Sequence, residues 1–404
     1  MESAKSRFLR YVTYYTTSDE FTGTSPSTER QKDLGRALMQ ELEALKLEDV
    51  HMDDCGNVLA TLPASEGVDA PVIALIAHMD TAPDASGENV KPRLVRYEGG
   101  ELKLNDTVSL TEALCPGLES HVGEELIVTD GTTLLGADDK AAVAVLIDVL
   151  RWLKEEGLKP AYDTLFAFPI YEEIGNGVDG LDVQELGCDY GYTVDGGPLG
   201  EIEFENFNAA SAVLTVHGVG VHPGSAKNVM INAATAAMAF HAMLPEDEVP
   251  EKTDGYEGFF HLTEMSGSVT EATLRYIIRD HDRERFEEKK ALFADCAARL
   301  DEIYGDGTAE AQINDSYYNM KEKLLPHFHL IERAENAFRA NGVEPQCVPI
   351  RGGTDGARLS WDGLPCPNLS TGGYNYHGVR EWIPADSLEA MTNVLVTLTE
   401  SFAE

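Results

Sequence analysis

The sequence of 404 residues predicts an α/β protein that is interrupted by a second, smaller domain. Apolar strands alternate with amphipathic helices through the first half of the chain, which is typical of a layered α/β domain. Near residue 206 the order changes to β-α-β-β-α-β, the ferredoxin-like arrangement, and a helix at 329–342 resumes the first pattern. We therefore expect a discontinuous domain of residues 1–206 and 322–404, with residues 207–321 inserted as an α+β domain.

The elements of the first domain follow from the spacing and length of its apolar runs. Residues 28–47 place leucines at helical spacing opposite a charged face, which predicts an amphipathic helix. Residues 57–63 and 71–80 predict strands, and the second is apolar enough to be buried on both faces. Residues 138–157 predict a helix that stops at Gly157 and Pro160. Two further strands are predicted at 164–173 and 190–197.

The inserted domain is predicted from six elements in the order given above. A strand at 209–220 is followed by a helix at 228–245, and residues 258–280 predict two strands around a turn. An amphipathic helix at 283–305 and a closing strand at 309–320 complete the arrangement.

The charge of the chain excludes some classes of partner. With 70 acidic and 31 basic residues, the formal net charge is −39. Binding to a phosphate backbone needs clustered Lys and Arg, so this charge argues against a nucleic-acid partner and against an anionic membrane surface.

Other sequence features predict the compartment. The six cysteines are scattered without a CxxC pair, which indicates reduced thiols. The N-terminal "MESAKSRFLRYVTYY" lacks the apolar core of a secretory signal, and the apolar runs are too short to cross a bilayer. We expect a soluble, cytoplasmic protein.

Residue types that bind metals occur in five places, each at the end of an apolar strand or in a glycine-rich turn. The first is "ALIAHMDTAPD", where His78 and Asp80 are two residues apart and would face the same way on an extended strand. One side chain can bind a metal while the other holds the imidazole through its second nitrogen. The alternative is a strand that simply runs into a polar loop.

The second and third places each contain two adjacent carboxylates. Asp138 and Asp139 precede a helix, so N-capping is the alternative explanation for one of them. Glu172 and Glu173 end an apolar strand, and adjacent strand residues point to opposite faces. A metal would relieve the repulsion between them, with one Glu binding the ion and the other, aimed at bound water, acting as general base. The alternative is a strand that surfaces with both acids solvated.

The fourth and fifth places are weaker when taken alone. Asp195 ends a strand before two glycines, where a turn aspartate is common, and His377 stands in a loop of aromatics and glycines, where exposure alone would explain it. One residue from each of the five places gives two imidazoles and three carboxylates, which suit zinc, or cobalt and manganese. If one aspartate bridges two ions, each ion has three protein ligands and open positions for water and substrate. The candidate ligands are His78, Asp138, Glu173, Asp195 and His377.

The chain resembles a family of dinuclear zinc metallopeptidases that includes aminoacylase, dipeptidase V and succinyl-diaminopimelate desuccinylase. The matching stretches run in order from about residue 26 to the C-terminus and include "AHMDTAPDASGENV", "TTLLGADDKA", "EEIGNG" and "VHPGSAKNVMINA". The longer stretches "FENFNAA" and "GLPCPN…TGGYNYHG" resemble the tripeptide aminopeptidases of this family. The resemblance implies a zinc-peptidase catalytic domain with a mixed central sheet flanked by helices, interrupted by a ferredoxin-like α+β lid domain.

The resemblance also implies the metals and their ligands. Two zinc ions per chain, with cobalt or manganese as substitutes, would be held by His78 and Asp195 on one side and by Glu173 and His377 on the other. Asp138 would bridge them, because the bridging aspartate of this family stands two residues before a lysine and is followed by a cis peptide bond.

Roles for the remaining residues are implied in the same way. Asp80 would orient the first histidine, and Glu172 would act as general base. In the lid, His222 would help to polarise the substrate carbonyl, which in some relatives is done from a partner subunit. The residues implied to grip the peptide are Arg279, Arg351 and Asn375.

The implied activity is the release of the N-terminal residue from a tripeptide through a zinc-bridged hydroxide. The core ligands leave open a carboxypeptidase, a dipeptidase or an N-acyl amino acid deacylase, because all of these hydrolyse an amide. A noncatalytic, metal-containing peptide-binding protein is a more distant alternative, and the intact Glu172 argues against it. A homodimer through the lid is implied by analogy alone.

Overall fold

The computed structural model describes residues 2–64, 71–155, 163–175, 177–178 and 180–402. The chain forms two compact units. The first unit comprises Met1–Phe204, Glu322–Val348 and Thr354–Glu404, and the second comprises Glu205–Lys321 and Pro349–Gly353. The second unit therefore includes a short segment, Pro349–Gly353, that the sequence places in the discontinuous domain.

The strands of the described residues vary from two to ten residues in length. In chain order they are β1 (Glu48–Met52), β2 (Val58–Leu62), β3 (Ile73–Ile76), β4 (Arg93–Arg96), β5 (Leu102–Lys103), β6 (Ser109–Leu110), β7 (Glu125–Val128), β8 (Thr164–Phe168), β9 (Tyr190–Gly196), β10 (Glu201–Glu203), β11 (Asn208–His217), β12 (Phe259–Gly267), β13 (Glu271–Asp280), β14 (Ala309–Tyr317), β15 (Gln346–Cys347), β16 (Asn368–Ser370) and β17 (Ile383–Pro384).

The α-helices flank these strands in the sequence. They are α1 (Ala4–Tyr11), α2 (Gln31–Ala44), α3 (Ala137–Glu155), α4 (Val183–Leu186), α5 (Ala233–His241), α6 (Arg283–Tyr304), α7 (Lys321–Leu324), α8 (His329–Ala340), α9 (Asp355–Asp362) and α10 (Ala385–Ser401). The predicted stop of α3 at Gly157 and Pro160 lies outside the described residues.

The first unit is built on a mixed sheet of eight strands in the order β1-β2-β8-β3-β9-β16-β10-β15. The four central strands β8, β3, β9 and β16 run parallel to one another, whereas β2 and β10 pair antiparallel with their central neighbours. Every residue of β3 and β8 is buried, as expected for parallel strands covered on both faces. The prediction of a mixed central sheet is confirmed.

The parallel strands explain where a site can form. The carboxyl ends of neighbouring parallel strands meet at one edge of the sheet, and the loops that leave this edge lie side by side. Predicted site residues follow β3 and β8 and end β9, and a fourth loop with a predicted ligand follows β16. This edge is called the carboxyl edge below.

Two of the predicted strands are shorter than the sequence suggests. The strand predicted at 71–80 ends at Ile76, and the strand predicted at 164–173 ends at Phe168. Pro169 follows the second strand, and a proline has no N–H to donate to the neighbouring strands. The prediction that Glu172 and Glu173 lie on an extended strand is therefore wrong, because Glu172–Ile174 form a 3-10 turn.

A small three-stranded sheet, β17-β7-β4, was not predicted from the sequence. Its strands alternate weakly and lie far apart in the chain, and β4 is largely exposed. Trp382, which precedes β17, is fully buried in the core beneath this sheet.

The second unit has the predicted β-α-β-β-α-β order. Its sheet is antiparallel with the order β12-β13-β11-β14. Alternate residues of β11, from Ala210 to Val216, are buried in one core with Phe240 of α5 and Phe293 of α6. This period-two burial places both helices on the same face of the sheet.

Two further observations concern the whole described chain. All six cysteines are free thiols. Among the described residues, no helix combines the length and the apolar composition that a transmembrane span requires.

Candidate metal centre

The five predicted ligands come together at the carboxyl edge of the first unit. Four of them are carried by the central strands: His78 two residues after β3, Glu173 in the turn that follows β8, Asp195 near the end of β9, and His377 in the loop after β16. Asp138 enters from the segment that precedes the regular part of α3, where its φ and ψ are not helical. Residues that are up to about 300 positions apart in the chain, from His78 to His377, thus converge on one site.

Asp138 lies between the two histidines. Its Oδ1 is 2.9 Å from Nε2 of His78, and its Oδ2 is 3.1 Å from Nε2 of His377. The peptide bond between Asp138 and Asp139 is cis, as the resemblance implies. A carboxylate that presents one oxygen to each of two imidazoles has the geometry of a ligand that two cations share.

A second carboxylate accompanies each histidine. Oδ1 of Asp195 is 3.4 Å from Nε2 of His78, and Oε2 of Glu173 is 3.0 Å from Nε2 of His377. Each half of the site therefore offers one imidazole, one carboxylate of its own and one oxygen of Asp138. Ligand atoms of His78, Asp138 and Glu173 all lie within 4.8 Å of one another.

Asp80 contacts the first histidine from behind. Its Oδ1 is 3.3 Å from Nδ1 of His78, the ring nitrogen that does not face Asp138. Its Oδ2 accepts hydrogen bonds from Ser18 Oγ at 2.6 Å and from the backbone N–H of Glu173 at 3.3 Å. The carboxylate behind His78 is therefore itself held in place, as carboxylates behind metal-binding histidines commonly are.

The 3-10 turn separates the two adjacent glutamates. Successive side chains in a 3-10 helix point about 120° apart, so they reach different halves of the site. Glu173 contacts His377, whereas a carboxylate oxygen of Glu172 lies within 4.8 Å of ligand atoms of His78 and Asp195. The predicted separation of the two carboxylates is present, although its cause is the turn rather than an extended strand.

Burial and mutual repulsion disturb the titration of these acids. Burial raises the pKa of Glu173 to about 8, with Asp138 contributing to the same effect. Burial raises the pKa of Asp195 to about 6, and burial together with Asp195 raises the pKa of Glu172 well above its ordinary value. Buried carboxylates that share a site hold protons unless a cation replaces them.

The pKa values of the two histidines and of Asp138 shift in the direction that favours the charged forms of these residues. Hydrogen bonds to Asp138 and Glu173 raise the pKa of His377 to about 11. Burial works to lower the pKa of His78, but the nearby carboxylates outweigh it and raise this pKa well above its ordinary value. Burial alone would raise the pKa of Asp138, but its bonds to both histidines lower it. Positive charge thus stabilises the carboxylates of this site.

This donor set fits two divalent cations. It combines two imidazoles with three carboxylates, and the buried Oε1 of Glu173 has no hydrogen-bond partner within the described residues. Imidazole and carboxylate ligands are those that zinc, cobalt and manganese take in proteins.

Asp355, a buried residue that the sequence did not indicate, explains why a glycine stands at position 177, after the 3-10 turn. Asp355 is 5% exposed and lies at the first residue of α9. A Cβ built on Gly177 would approach its Oδ2 to 2.2 Å, so no side chain fits there. Burial raises the pKa of Asp355 to about 7.

Three further supporting residues were also missed. Ser18 donates to Asp80, as described above, and the Tyr376 hydroxyl donates to the carbonyl of Gly196 at 3.0 Å, next to Asp195. The carboxylate of Glu381 accepts hydrogen bonds from three backbone N–H groups around Asp138. Serines, tyrosines and glutamates of this kind carry no distinguishing spacing, and in a chain with 70 acidic residues one buried glutamate gives no signal.

Asn375, a predicted peptide-binding residue of the first unit, is hydrogen-bonded to two other residues of that unit. Its Nδ2 donates to the carbonyl of Leu114 at 3.1 Å, and its Oδ1 accepts from Nε1 of Trp382 at 3.2 Å.

The other predicted substrate residues belong to the second unit. His222 is exposed, and its Nδ1 accepts the N–H of Gly224 at 3.1 Å. Arg279 donates to the carbonyl of Arg351 at 2.8 Å, and Arg351 donates to carbonyls of the segment 253–257. Their roles toward a peptide stay predictions.

Comparison with known proteins places this geometry in a family. A family model described as a peptidase dimerisation domain matches residues 204–308, and one described as M42 glutamyl aminopeptidase matches residues 125–235. Peptidase T from Parabacteroides distasonis is 49% identical over 98% of this chain and 97% of its own length. The chain belongs to the peptidase T family. Peptidase T from Alkaliphilus oremlandii is 47% identical, with complete coverage of both chains.

Solved structures agree with this membership. An aminopeptidase from Bacillus cereus is 25% identical, covers 99% of both chains and superimposes with a TM-score of 0.78. A tripeptidase from Staphylococcus aureus shares the fold, with 23% identity, a TM-score of 0.79 and coverage of 99% of this chain and 98% of its own. The peptidase T family member described here is a metallopeptidase, and the predicted fold of a peptidase domain interrupted by a lid is confirmed.

Metal binding to the chelator-treated protein is expected to release protons at pH 7. The pKa values of Glu173 (about 8) and His377 (about 11) lie above 7, so both groups hold a proton that an ion must displace. Affinity should therefore rise as the pH increases from 7. Calorimetric titration of zinc in two buffers of different ionisation enthalpy measures the number of protons.

The matched variant His377→Ala should release fewer protons per ion bound. Identical heats in the two buffers would contradict the protonated state that the geometry implies for these two residues.

Proposed function

We propose that this peptidase T family member is a metal-dependent aminopeptidase that releases the N-terminal residue of tripeptides. The observation that carries the proposal is the position of Asp138 between His78 and His377, with Glu172 beside His78. The names of relatives support it: the S. aureus protein is described as a tripeptidase and the B. cereus protein as an aminopeptidase.

The proposed metals are two zinc ions, with cobalt or manganese as substitutes. His78 and Asp195 would hold one ion, Glu173 and His377 the other, and Asp138 both. When bound, the ions would act as Lewis acids and lower the pKa of a water molecule, so that hydroxide forms near neutral pH. Three protein ligands per ion leave positions open for water and substrate.

Glu172 is the proposed general base. Its half-buried carboxylate lies beside His78 and Asp195 without being needed to complete either set of three ligands. It would accept the proton from the attacking water and pass it to the amine nitrogen that leaves when the peptide bond breaks. Burial and nearby carboxylates raise its pKa, which makes its protonated form a better match for the second of these tasks.

Asp80 is proposed to orient His78. Because its other oxygen is held by Ser18 and by the backbone of Glu173, the carboxylate fixes the ring with Nε2 toward Asp138. The negative charge of Asp80 also lies behind the imidazole, and this charge strengthens the binding of the imidazole to a cation.

His222 is proposed to stabilise the negative oxygen that forms when the peptide carbonyl is attacked. Its Nδ1 accepts the N–H of Gly224, so in the neutral ring Nε2 carries the proton and can donate it in a hydrogen bond. Arg279, Arg351 and Asn375 are proposed to hold the peptide. The hydrogen bonds that they make within their own units would preorganise the segments that carry them.

The lid is also proposed to form a homodimer. The family model that matches residues 204–308 is described as a dimerisation domain. Strand β12 lies at an edge of its sheet, and residues 263–267 are all exposed. Met265 on this strand and Val269 after it add exposed apolar surface, and an exposed edge strand is a template for pairing with a second chain.

A panel of peptides tests the substrate class. Purified protein with zinc should hydrolyse Ala-Ala-Ala and release alanine from its N-terminus, and it should leave the N-acetylated tripeptide and N-acetyl amino acids intact. Treatment with a chelator should abolish the activity. Equal cleavage of the blocked and free tripeptides would contradict an aminopeptidase and favour a carboxypeptidase or deacylase. Preference for Ala-Ala would indicate a dipeptidase, and binding without hydrolysis would indicate a noncatalytic protein.

Substitution of Glu172 by Gln should lower kcat by a factor of about 10² to 10⁴, because a positioned base typically contributes that much. The variant should still contain two metal ions per chain, measured by elemental analysis. Glu173→Gln is the matched comparison, since the neighbouring substitution should lower the metal content as well. Loss of metal from Glu172→Gln would show that Glu172 is a ligand and not the base.

Sedimentation equilibrium should give twice the chain mass of 44.1 kDa at micromolar concentration. Met265→Arg places a charge at the exposed edge of β12 and should shift the mass toward that of one chain. Ile303→Arg, an equally drastic change at an exposed position of α6, should leave the mass unchanged. A single-chain mass for the unaltered protein would rule out the dimer.

A further inference from the structure

The loop that carries His377 is closed on itself. Tyr374 and Trp382 exchange two backbone hydrogen bonds, of 2.9 Å and 3.1 Å, and their rings stack with centroids 4.1 Å apart. Trp382 is fully buried. Residues 374–382, called the His377 loop below, therefore form a braced segment rather than a freely moving one.

The last acidic side chain of the His377 loop reaches the segment that carries Asp138. Oε2 of Glu381 accepts the N–H of Leu135 at 2.7 Å and the N–H of Gly136 at 2.8 Å. Its Oε1 accepts the N–H of Asp138 itself at 3.1 Å. Glu381 is 1% exposed. Burial of a carboxylate is costly, and these charge-assisted bonds offset the cost.

Asp138 has little other support from its own helix. Its φ and ψ and those of Asp139 are not helical, so regular α-helix begins only after them. The three N–H groups that Glu381 accepts are thus the contacts that fix the backbone immediately before and at Asp138. Because the same loop carries His377, one carboxylate ties two of the candidate ligands together.

We infer that Glu381 is a positioning residue for both metal ions, acting through the backbone of Asp138. The inference rests on the proposed dinuclear site. Since both ions share Asp138, loosening this residue should lower the binding affinity for both ions together. If Glu381 supported only His377, its substitution would lower the affinity for one ion and leave the affinity for the other unchanged.

The test is cobalt binding to full-length, metal-free protein carrying Glu381→Gln. The amide has one acceptor oxygen and an NH₂ group that would face backbone N–H donors, so the three bonds cannot all form. We expect both cobalt ions to bind about 10 to 100 times more weakly, as is typical when support around a metal ligand is lost. Visible absorption of bound cobalt follows both binding steps, independently of peptide hydrolysis.

Two companion variants make the result specific. Glu125→Gln makes the same chemical change at a half-exposed residue of the first unit, whose carboxylate pairs with Lys5, and it should bind cobalt as the unaltered protein does. Glu381→Asp keeps the charge and shortens the side chain, and it should fall between the two. If Glu381→Gln does not fold, as judged by circular dichroism of the metal-free protein, Glu381→Asp becomes the deciding variant under the same criterion.

Each outcome decides the inference. A similar loss of affinity for both cobalt ions supports the inference. Unchanged affinity, or a loss of affinity for one ion alone, overturns the inference. If the unaltered protein binds two cobalt ions but hydrolyses no peptide, the proposed function fails while the role of Glu381 stands or falls by the titration.

Discussion

The repulsion between buried carboxylates at the carboxyl edge is the constraint on which the first unit depends. Parallel strands bring Glu173 and Asp195 close to Asp138, and burial removes the water that would screen their charges. The raised pKa values of Glu173 and Asp195 record the cost of keeping them charged there. Protons or cations must supply the missing positive charge, and two imidazoles placed against the same oxygens favour cations that bind nitrogen as well as oxygen.

Much of the surrounding structure keeps these groups in place despite their repulsion. Ser18 and the backbone of Glu173 hold Asp80 behind His78, and Glu381 holds the backbone at Asp138. Lys140, which is almost fully buried, brings a compensating positive charge near Asp80 and Glu381, and burial lowers its pKa to about 7. The candidate metal site is therefore the inner part of a larger network of buried charges and hydrogen bonds, which extends from the N-terminal segment to the loop after β16.

Two kinds of feature were predictable from the sequence: helices and strands with a regular apolar pattern, and a candidate site marked by several residues at once. The spacing and length of the apolar runs predicted most long elements, and ligand residues at several strand ends predicted a candidate site even though each alone had a simple alternative. The geometry of Glu172 and Glu173 was not predictable in this way, because Pro169 ends the strand and a 3-10 turn replaces it. Glu381 was missed because its function depends on three backbone N–H groups more than 240 residues away, and no local pattern encodes such a contact.

The most direct test of the account is the position of the metals themselves. Crystals grown with zinc, measured on both sides of the zinc absorption edge, should show two anomalous peaks per chain at the carboxyl edge. One peak should lie among His78, Asp195 and Asp138, and the other among His377, Glu173 and Asp138. A single peak, or peaks that do not share Asp138, would contradict the central claim that this one aspartate joins two metal sites.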